Sequence, residues 1–371
     1  EFAGAVESTA SVGGQLLPPI MGATAFIMAE TLGIQYREIV IAAAIPAIIY
    51  YLGIIFQIQL KASKEDLGGM SKEDLPSLSE TLKNYWHLTI PILFLVYMLF
   101  FSGFTVIRGA FFTIILTIIV AQLRKKTRMS IKDIQDAFIS SAKSTVATAI
   151  ACACVGIVIG VSSLTGFTIN MASAIISLGS TSLLLTLLFT MISCMILGMG
   201  LPSIPAYIIT STIAAPALVR LGVIPLAAHL FCFYFAMFAN ITPPVALASF
   251  AAAGISGANP MKTGIVSVKL ALAGFIVPYM FIYNNQLLLI NTNIIQGIQV
   301  TITACVGVFL ISSSVEGYLY RKLSILMRIF MMAGAFLLIN SSTLTDLVGI
   351  GVFLIILLYE KFISKKEHKI I

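Results

Sequence analysis

Two stretches of this chain place polar oxygens beside a helix break in otherwise apolar sequence, a combination suited to binding a bare cation or a carboxylate. One runs Gly13-Gly14-Gln15-Leu16-Leu17-Pro18-Pro19-Ile20-Met21-Gly22 and continues to Phe26; the other runs Asn240-Ile241-Thr242-Pro243-Pro244-Val245-Ala246 and continues to Phe250. Proline lacks a backbone donor and clashes with the preceding turn, so two in a row break a helix. Inside a bilayer the freed backbone groups are tolerated only against protein, water or a ligand. Asn240 and Thr242 either lend their oxygens to a ligand or only satisfy the broken backbone. In the first copy Ser8, Thr9, Ser11 and Gln15 occupy the comparable lead-in.

A third interruption is Gly198-Met199-Gly200-Leu201-Pro202-Ser203-Ile204-Pro205-Ala206, inside the apolar run 181–219. Two glycines and two prolines there cannot remain a regular helix. The run is either a re-entrant hairpin with its tip at 198–203 or two tight spans joined by an outer turn, and its uncharged tip favours the hairpin. At such a tip carbonyl oxygens suit a monovalent cation, and helix N-termini suit a carboxylate. Of the ionisable groups nearby, Glu30 and His229 read as interfacial, and Glu7 sits in the lead-in to the first break.

The elements that must carry these breaks are membrane helices. Hydrophobic residues make up 59% of the chain and charged residues 10%, with a mean hydropathy of +1.03. Soluble proteins average about 25% charged residues, so this composition defines an all-α polytopic membrane protein. A span needs about 20 apolar residues. The expected spans are a broken segment near 12–30, then 38–60, 87–103, 106–123, 137–164, the pair 181–198 and 203–219, a broken segment at 225–253, 264–284, 294–313, 325–341 and 345–363. The Ser77-Leu78-Ser79-Glu80 pattern predicts a short capped helix within 61–85. Residues 130–143 read as an amphipathic arm leading into the next span.

The formal charge of +7 does not point to nucleic acid, because the basic residues form short clusters between apolar runs. Those clusters, around Lys61, Lys64, Lys72 and Lys83, Arg124 to Lys132, Arg321 and Lys322, and Lys361 to Lys369, are expected on the cytoplasmic side. The first Pro-Pro segment then runs outward and the second inward, as inverted-topology repeats require. The five cysteines (Cys152, Cys154, Cys194, Cys232, Cys305) all fall in apolar sequence and read as small core residues, with no disulfide framework and no zinc site. Zincin, nucleophile-elbow and phosphate-loop patterns are absent from the sequence. No enzyme and no cofactor is expected.

These phrases resemble the fused membrane subunit of a TRAP (tripartite ATP-independent periplasmic) transporter. The likeness rests on Ala3-Gly4-Ala5-Val6-Glu7 leading into Gly13–Gly22, on Ala25–Glu30, on Gly198–Pro202, on Ala227-Ala228-His229-Leu230-Phe231 and on Asn240–Ala248. It covers about residues 1–284; residues 285–371 resemble the helical extension of fused members. The resemblance implies an ion-transporter superfold of two inverted repeats, each with a re-entrant hairpin and a broken helix. It implies uptake of organic acids coupled to sodium, with substrate handed over by an extracytoplasmic binding protein. Carried over residue by residue, the substrate and ion sites fall at Gly13, Gly14, Gln15, Pro18 and Pro19, at Gly198, Met199, Gly200, Leu201, Pro202 and Ser203, and at Asn240, Ile241, Thr242, Pro243 and Pro244.

The expected organisation is 1–60 as the remnant of the first repeat, 61–123 as a cytoplasmic segment with two connecting spans, 124–284 as the second repeat, and 285–371 as a three-helix extension. The first repeat's hairpin is expected upstream of Glu1, in a missing N-terminal part of the permease. Two rival readings are a carboxylate or anion symporter that needs no binding protein, and a non-transporting membrane scaffold or fragment.

Overall fold

In the computed structural model, described for residues 1–19, 21–69, 77–179, 182–339 and 343–367, each Pro-Pro phrase separates two short helices and is followed by a long one. In the first unit α1 (Phe2–Gly13) breaks, α2 (Thr24–Leu32) resumes, and α3 (Tyr36–Glu65) returns. Later in the chain the same order recurs as α11 (Pro225–Phe238), α12 (Leu247–Ser256) and α13 (Pro260–Tyr283). Between the units lie α4 (Leu78–Tyr85), α5 (Thr89–Phe100), α6 (Val106–Ala121), α7 (Ile131–Leu164), α8 (Phe167–Gly179), α9 (Leu183–Gly198) and α10 (Ser203–Arg220). The extension is α14 (Ile294–Glu316), α15 (Ile325–Ile339) and α16 (Thr343–Glu367). No strand occurs among the described residues.

The two units repeat in detail. Gly33 (φ 66°) and Gly257 (φ 67°) end α2 and α12 in the left-handed conformation that favours glycine. Two residues later Gln35 and Asn259 cap α3 and α13; Gln35 forms a capping box with Glu38, and Asn259 accepts the Lys262 amide at 3.0 Å. The units also run antiparallel. Along α3, Tyr50 packs on Gly274, Gln57 donates to the Leu270 carbonyl at 2.8 Å, and Lys64 shares the Glu316 carboxylate with Lys269 at 3.0 Å each. Rising numbers on α3 thus meet falling numbers on α13, which is the inverted arrangement expected from loop charge.

Among the described residues four helices, α3, α7, α13 and α14, are long and apolar enough to cross a membrane by length and composition. Several expected boundaries shift. The first broken segment starts at Phe2 rather than near residue 12, because the helix lead-in through Ala3-Gly4-Ala5-Val6 is already helical. The amphipathic arm and the span after it are one helix, α7, started by a capping box between Ser130 and Asp133. Residues 167–179, which fall between two expected spans, form α8. Ser77 caps α4 by accepting the Glu80 amide at 3.3 Å. Ile20, Lys72, Lys369 and the span edges at 181 and 340–341 lie outside the described residues.

The basic clusters assemble on common ground. Arg124 donates to the Lys83 and Asn84 carbonyls, and His87 Nε2 lies 2.9 Å from Thr127 Oγ1. Arg321 pairs with the buried Glu360 at 2.7 Å, and Lys64 and Glu316, at the ends of α3 and α14, meet Lys269 inside α13. We predict that a single cysteine at position 128, in a cysteine-free background, stays unlabelled by impermeant reagent added outside intact cells, while positions in 285–293 react. Labelling of position 128 from outside would overturn the orientation.

The core lies where the two units meet. Phe231, Phe235, Phe238, Tyr234 and Phe281 are fully buried, and Phe238 stacks on Phe275 with ring centroids 4.5 Å apart. By contrast α7 is exposed along most of its length. This corrects the cysteine expectation: Cys194 and Cys232 are buried, but Cys154 is exposed and Cys152 and Cys305 are half-buried. Cys152 and Cys154 lie on stretches of α7 that the rest of the chain leaves largely uncovered.

Candidate functional site

The two breaks adopt the same backbone course. Both Pro-Pro bonds, Pro18-Pro19 and Pro243-Pro244, are cis, and two residues past each pair the chain turns through positive φ, at Met21 (47°) and Ala246 (21°). The Met21 amide donates to the Leu17 carbonyl at 3.2 Å, and the Ala246 amide donates to the Thr242 carbonyl at 3.3 Å. At each break the C-terminal end of one helix and the N-terminal end of the next border the gap, so both signs of the helix dipole meet there.

The hairpin tip closes on the second break. A Cβ at Gly198 would lie 3.3 Å from Ala236 Cα and 3.4 Å from Ala239 Cβ, and one at Gly200 (φ 73°) would lie 3.3 Å from a Val245 methyl. The glycines therefore let the α9–α10 turn approach the backbone where α11 gives way. At about 24 and 27 Å, by 1.5 Å per residue, the 16- and 18-residue arms are short for a full bilayer. The tip formed by Gly198, Met199, Gly200, Leu201, Pro202 and Ser203 thus meets Ala239 and Val245, which flank Asn240, Ile241, Thr242, Pro243 and Pro244. On the far side Gly264 of α13 leaves room for Pro243, whose Cγ would lie 2.9 Å from a Cβ there.

Gly13, Gly14, Gln15, Pro18 and Pro19 form a separate station beside three tyrosines of α3. Tyr50 and Tyr51 donate to the Thr9 and Ala10 carbonyls, each at 2.8 Å, and Tyr36 donates to the Pro19 carbonyl at 3.0 Å. Tyr50 also stacks on Phe238, centroids 5.6 Å apart, so one ring touches the last turn before each break. Two buried oxygens at the first break have no hydrogen-bond partner: Gln15 Oε1 and Thr24 Oγ1, the latter on a fully buried residue. Gln15 folds over Gly22, where a Cβ would lie 3.5 Å from that oxygen.

At the second break Thr242 donates to the Phe238 carbonyl at 2.8 Å, four residues back. This leaves its lone pairs free. Ser249, which like Thr24 stands three residues past the positive-φ position, is buried among partners: Ser267 at 3.0 Å, the Ile241 carbonyl at 3.3 Å and Ser8 at 3.4 Å. Thr24, Ser249, Ser267 and Tyr50 were not among the expected site residues. Superimposing the two phrases would have exposed Thr24 and Ser249, since both are small polar residues at one register. Tyr50 and Ser267 carry no local sequence signal.

The other ionisable candidates sit apart. Glu7 is exposed and accepts from Ser11 at 3.1 Å, and His229 Nδ1 lies 2.8 Å from the Tyr207 hydroxyl, bridging α10 and α11. Glu30 is exposed, with Arg37, in the wall of a cavity of about 810 Å³ between α2, the start of α3 and the α5–α6 link. No group of His, Cys, Asp and Glu fit to hold a metal occurs among the described residues.

Antiparallel broken-helix units with a glycine hairpin set into one of them define a membrane permease of the secondary-transporter type. The model of the tripartite ATP-independent periplasmic transporter family, DctM component, matches residues 1–296, and the chain belongs to that family. It is a multi-pass permease of the inner membrane and not an enzyme. A search of curated proteins found no match.

Proposed function

We propose that this chain carries the sodium-coupled translocation pathway of a TRAP permease that takes up organic acids delivered by an extracytoplasmic binding protein. The observation that carries the reading is the pair of unpartnered, buried oxygens at the first break, Gln15 Oε1 and Thr24 Oγ1. A buried polar atom without a partner costs about 1–3 kcal/mol. Two at one helix break, beside the carbonyl end of α1, are the lining a dehydrated monovalent cation needs. The candidate residues at both breaks and at the tip include no carboxylate, so an anionic substrate meets no like charge there, and the amide ends of α10 and α12 favour it.

On this reading 1–60 belongs to the first inverted repeat, 61–123 connects, 124–284 forms the second repeat, and 285–371 is an extension packed on α3 through α14. The transporter works as one assembly with its binding protein in the lipid bilayer. An elevator-like movement follows from the family resemblance.

The test is uptake by the full transporter reconstituted in vesicles. An organic acid should accumulate only with an inward sodium gradient and only when the binding protein is added. Equal uptake with potassium on both sides and no sodium would remove the coupling. Uptake without binding protein would favour a simple carboxylate symporter, and no uptake under any gradient a scaffold.

A further inference from the structure

Three serine hydroxyls from three helices meet next to the second break, and they hold too few protons for the contacts they make. Ser8 (α1), Ser249 (α12) and Ser267 (α13) are all buried. Their oxygens lie 2.9 Å apart for Ser8 and Ser267, 3.0 Å for Ser249 and Ser267, and 3.4 Å for Ser249 and Ser8. Each also reaches a carbonyl: Ser8 that of Ala5 at 3.1 Å, Ser267 that of Thr263 at 2.8 Å, and Ser249 that of Ile241 at 3.3 Å. A serine hydroxyl has one proton to give, so three protons serve six contacts.

Ser8 and Ser267 have carbonyls of their own helices as acceptors. Ser249 has no such local sink. Its proton goes to the Ile241 carbonyl, inside the break, to the Ser267 oxygen or, over the longer 3.4 Å, to the Ser8 oxygen. We propose that Ser249 is a positioning residue with a two-way proton, donating to the Ile241 carbonyl while the second break is empty and turning onto Ser267 when that carbonyl takes a cation. With the proton on Ile241, a positive dipole end faces the incoming ion. Once it turns, the Ser249 lone pairs face the ion instead, and Ser267 keeps the hydroxyl satisfied in its buried place. Because Ser8 belongs to α1, the helix that leads into the first break is part of the same node. The proposal rests on the cation reading of the breaks.

The experiment is a sodium titration of thermal stability in the full permease. Ser267→Ala removes the nearer alternative acceptor, leaving only Ser8 at 3.4 Å, and biases the proton towards Ile241, so the sodium midpoint should rise about fivefold, the equivalent of one hydrogen bond of about 1 kcal/mol. The shift should vanish when the same change is made in a Ser249→Ala background, where no proton is left to redirect. Ser267→Cys, close in size but a poorer acceptor, should shift the midpoint the same way by less, and serves if the alanine variant folds badly. A Ser267→Ala protein that melts lower with the wild-type sodium midpoint, or whose shift persists in Ser249→Ala, overturns the proposal and leaves the sodium reading intact. A wild type whose stability ignores sodium overturns both.

Discussion

Replacing Gly274 by alanine is expected to destabilise the permease more than any other single-methyl addition considered, by about 2–4 kcal/mol. A Cβ at Gly274 would overlap the Cδ2–Cε2 edge of the Tyr50 ring, and that ring has nowhere to go. Its other edge lies against Gly13, its face stacks on Phe238, Tyr51 meets it edge-on at 5.6 Å, and its hydroxyl donates to the Thr9 carbonyl at 2.8 Å. Moving the ring therefore means giving up the stack and the carbonyl it satisfies at the end of α1. Tyr50 and Gly274 each lie seventeen residues past the left-handed glycine of their own unit, Gly33 and Gly257. The two antiparallel units touch at equivalent positions, and one must yield its side chain to the other. Melting of the purified protein in detergent measures the effect, and Tyr50→Leu should recover part of it in the Gly274→Ala background. A Gly274→Ala protein that melts with wild type would show that the Tyr50 contact does not hold the units together.

How much of this was legible in sequence follows from which physics acts locally. The breaks were legible because Pro-Pro pairs disrupt a helix whatever surrounds them, and Gly198 to Pro202 because two glycines and a proline do the same. Loop charge also predicts an orientation, which labelling at position 128 tests. The joining of the hairpin tip to the second break was not, since the close approach of Gly198 to Ala236 is a tertiary fact with no periodicity. The start of the first broken helix was misplaced because small residues, Ala3, Gly4 and Ala5, hardly register as a span by hydropathy. Helix α8 was missed because thirteen residues are too few for a span and too apolar for a loop. The serine node escaped because Ser8, Ser249 and Ser267 are far apart in the chain and unremarkable one by one.

Thr242→Val is the substitution expected to change ion binding most while sparing the fold. Valine matches the shape of threonine and removes one oxygen. In the structure the Thr242 hydroxyl donates to the Phe238 carbonyl at 2.8 Å, which satisfies the last turn of α11 and directs the lone pairs away from that helix. A hydroxyl so held is a fixed oxygen with lone pairs to offer, and it stands directly before the Pro243-Pro244 turn. Removing one such ligand where its partner is left unpaired costs on the order of 1 kcal/mol or more, so the apparent sodium affinity should fall by about tenfold. The Phe238 carbonyl also loses its donor, so some loss of stability is expected in either case and cannot decide the matter. The sodium dependence decides it. If Thr242 serves only its helix, the variant will melt lower at every sodium concentration with an unchanged midpoint. If Thr242 is a ligand, the midpoint moves and the gap between variant and wild type widens as sodium is added, because only the wild type is then gaining a bound ion.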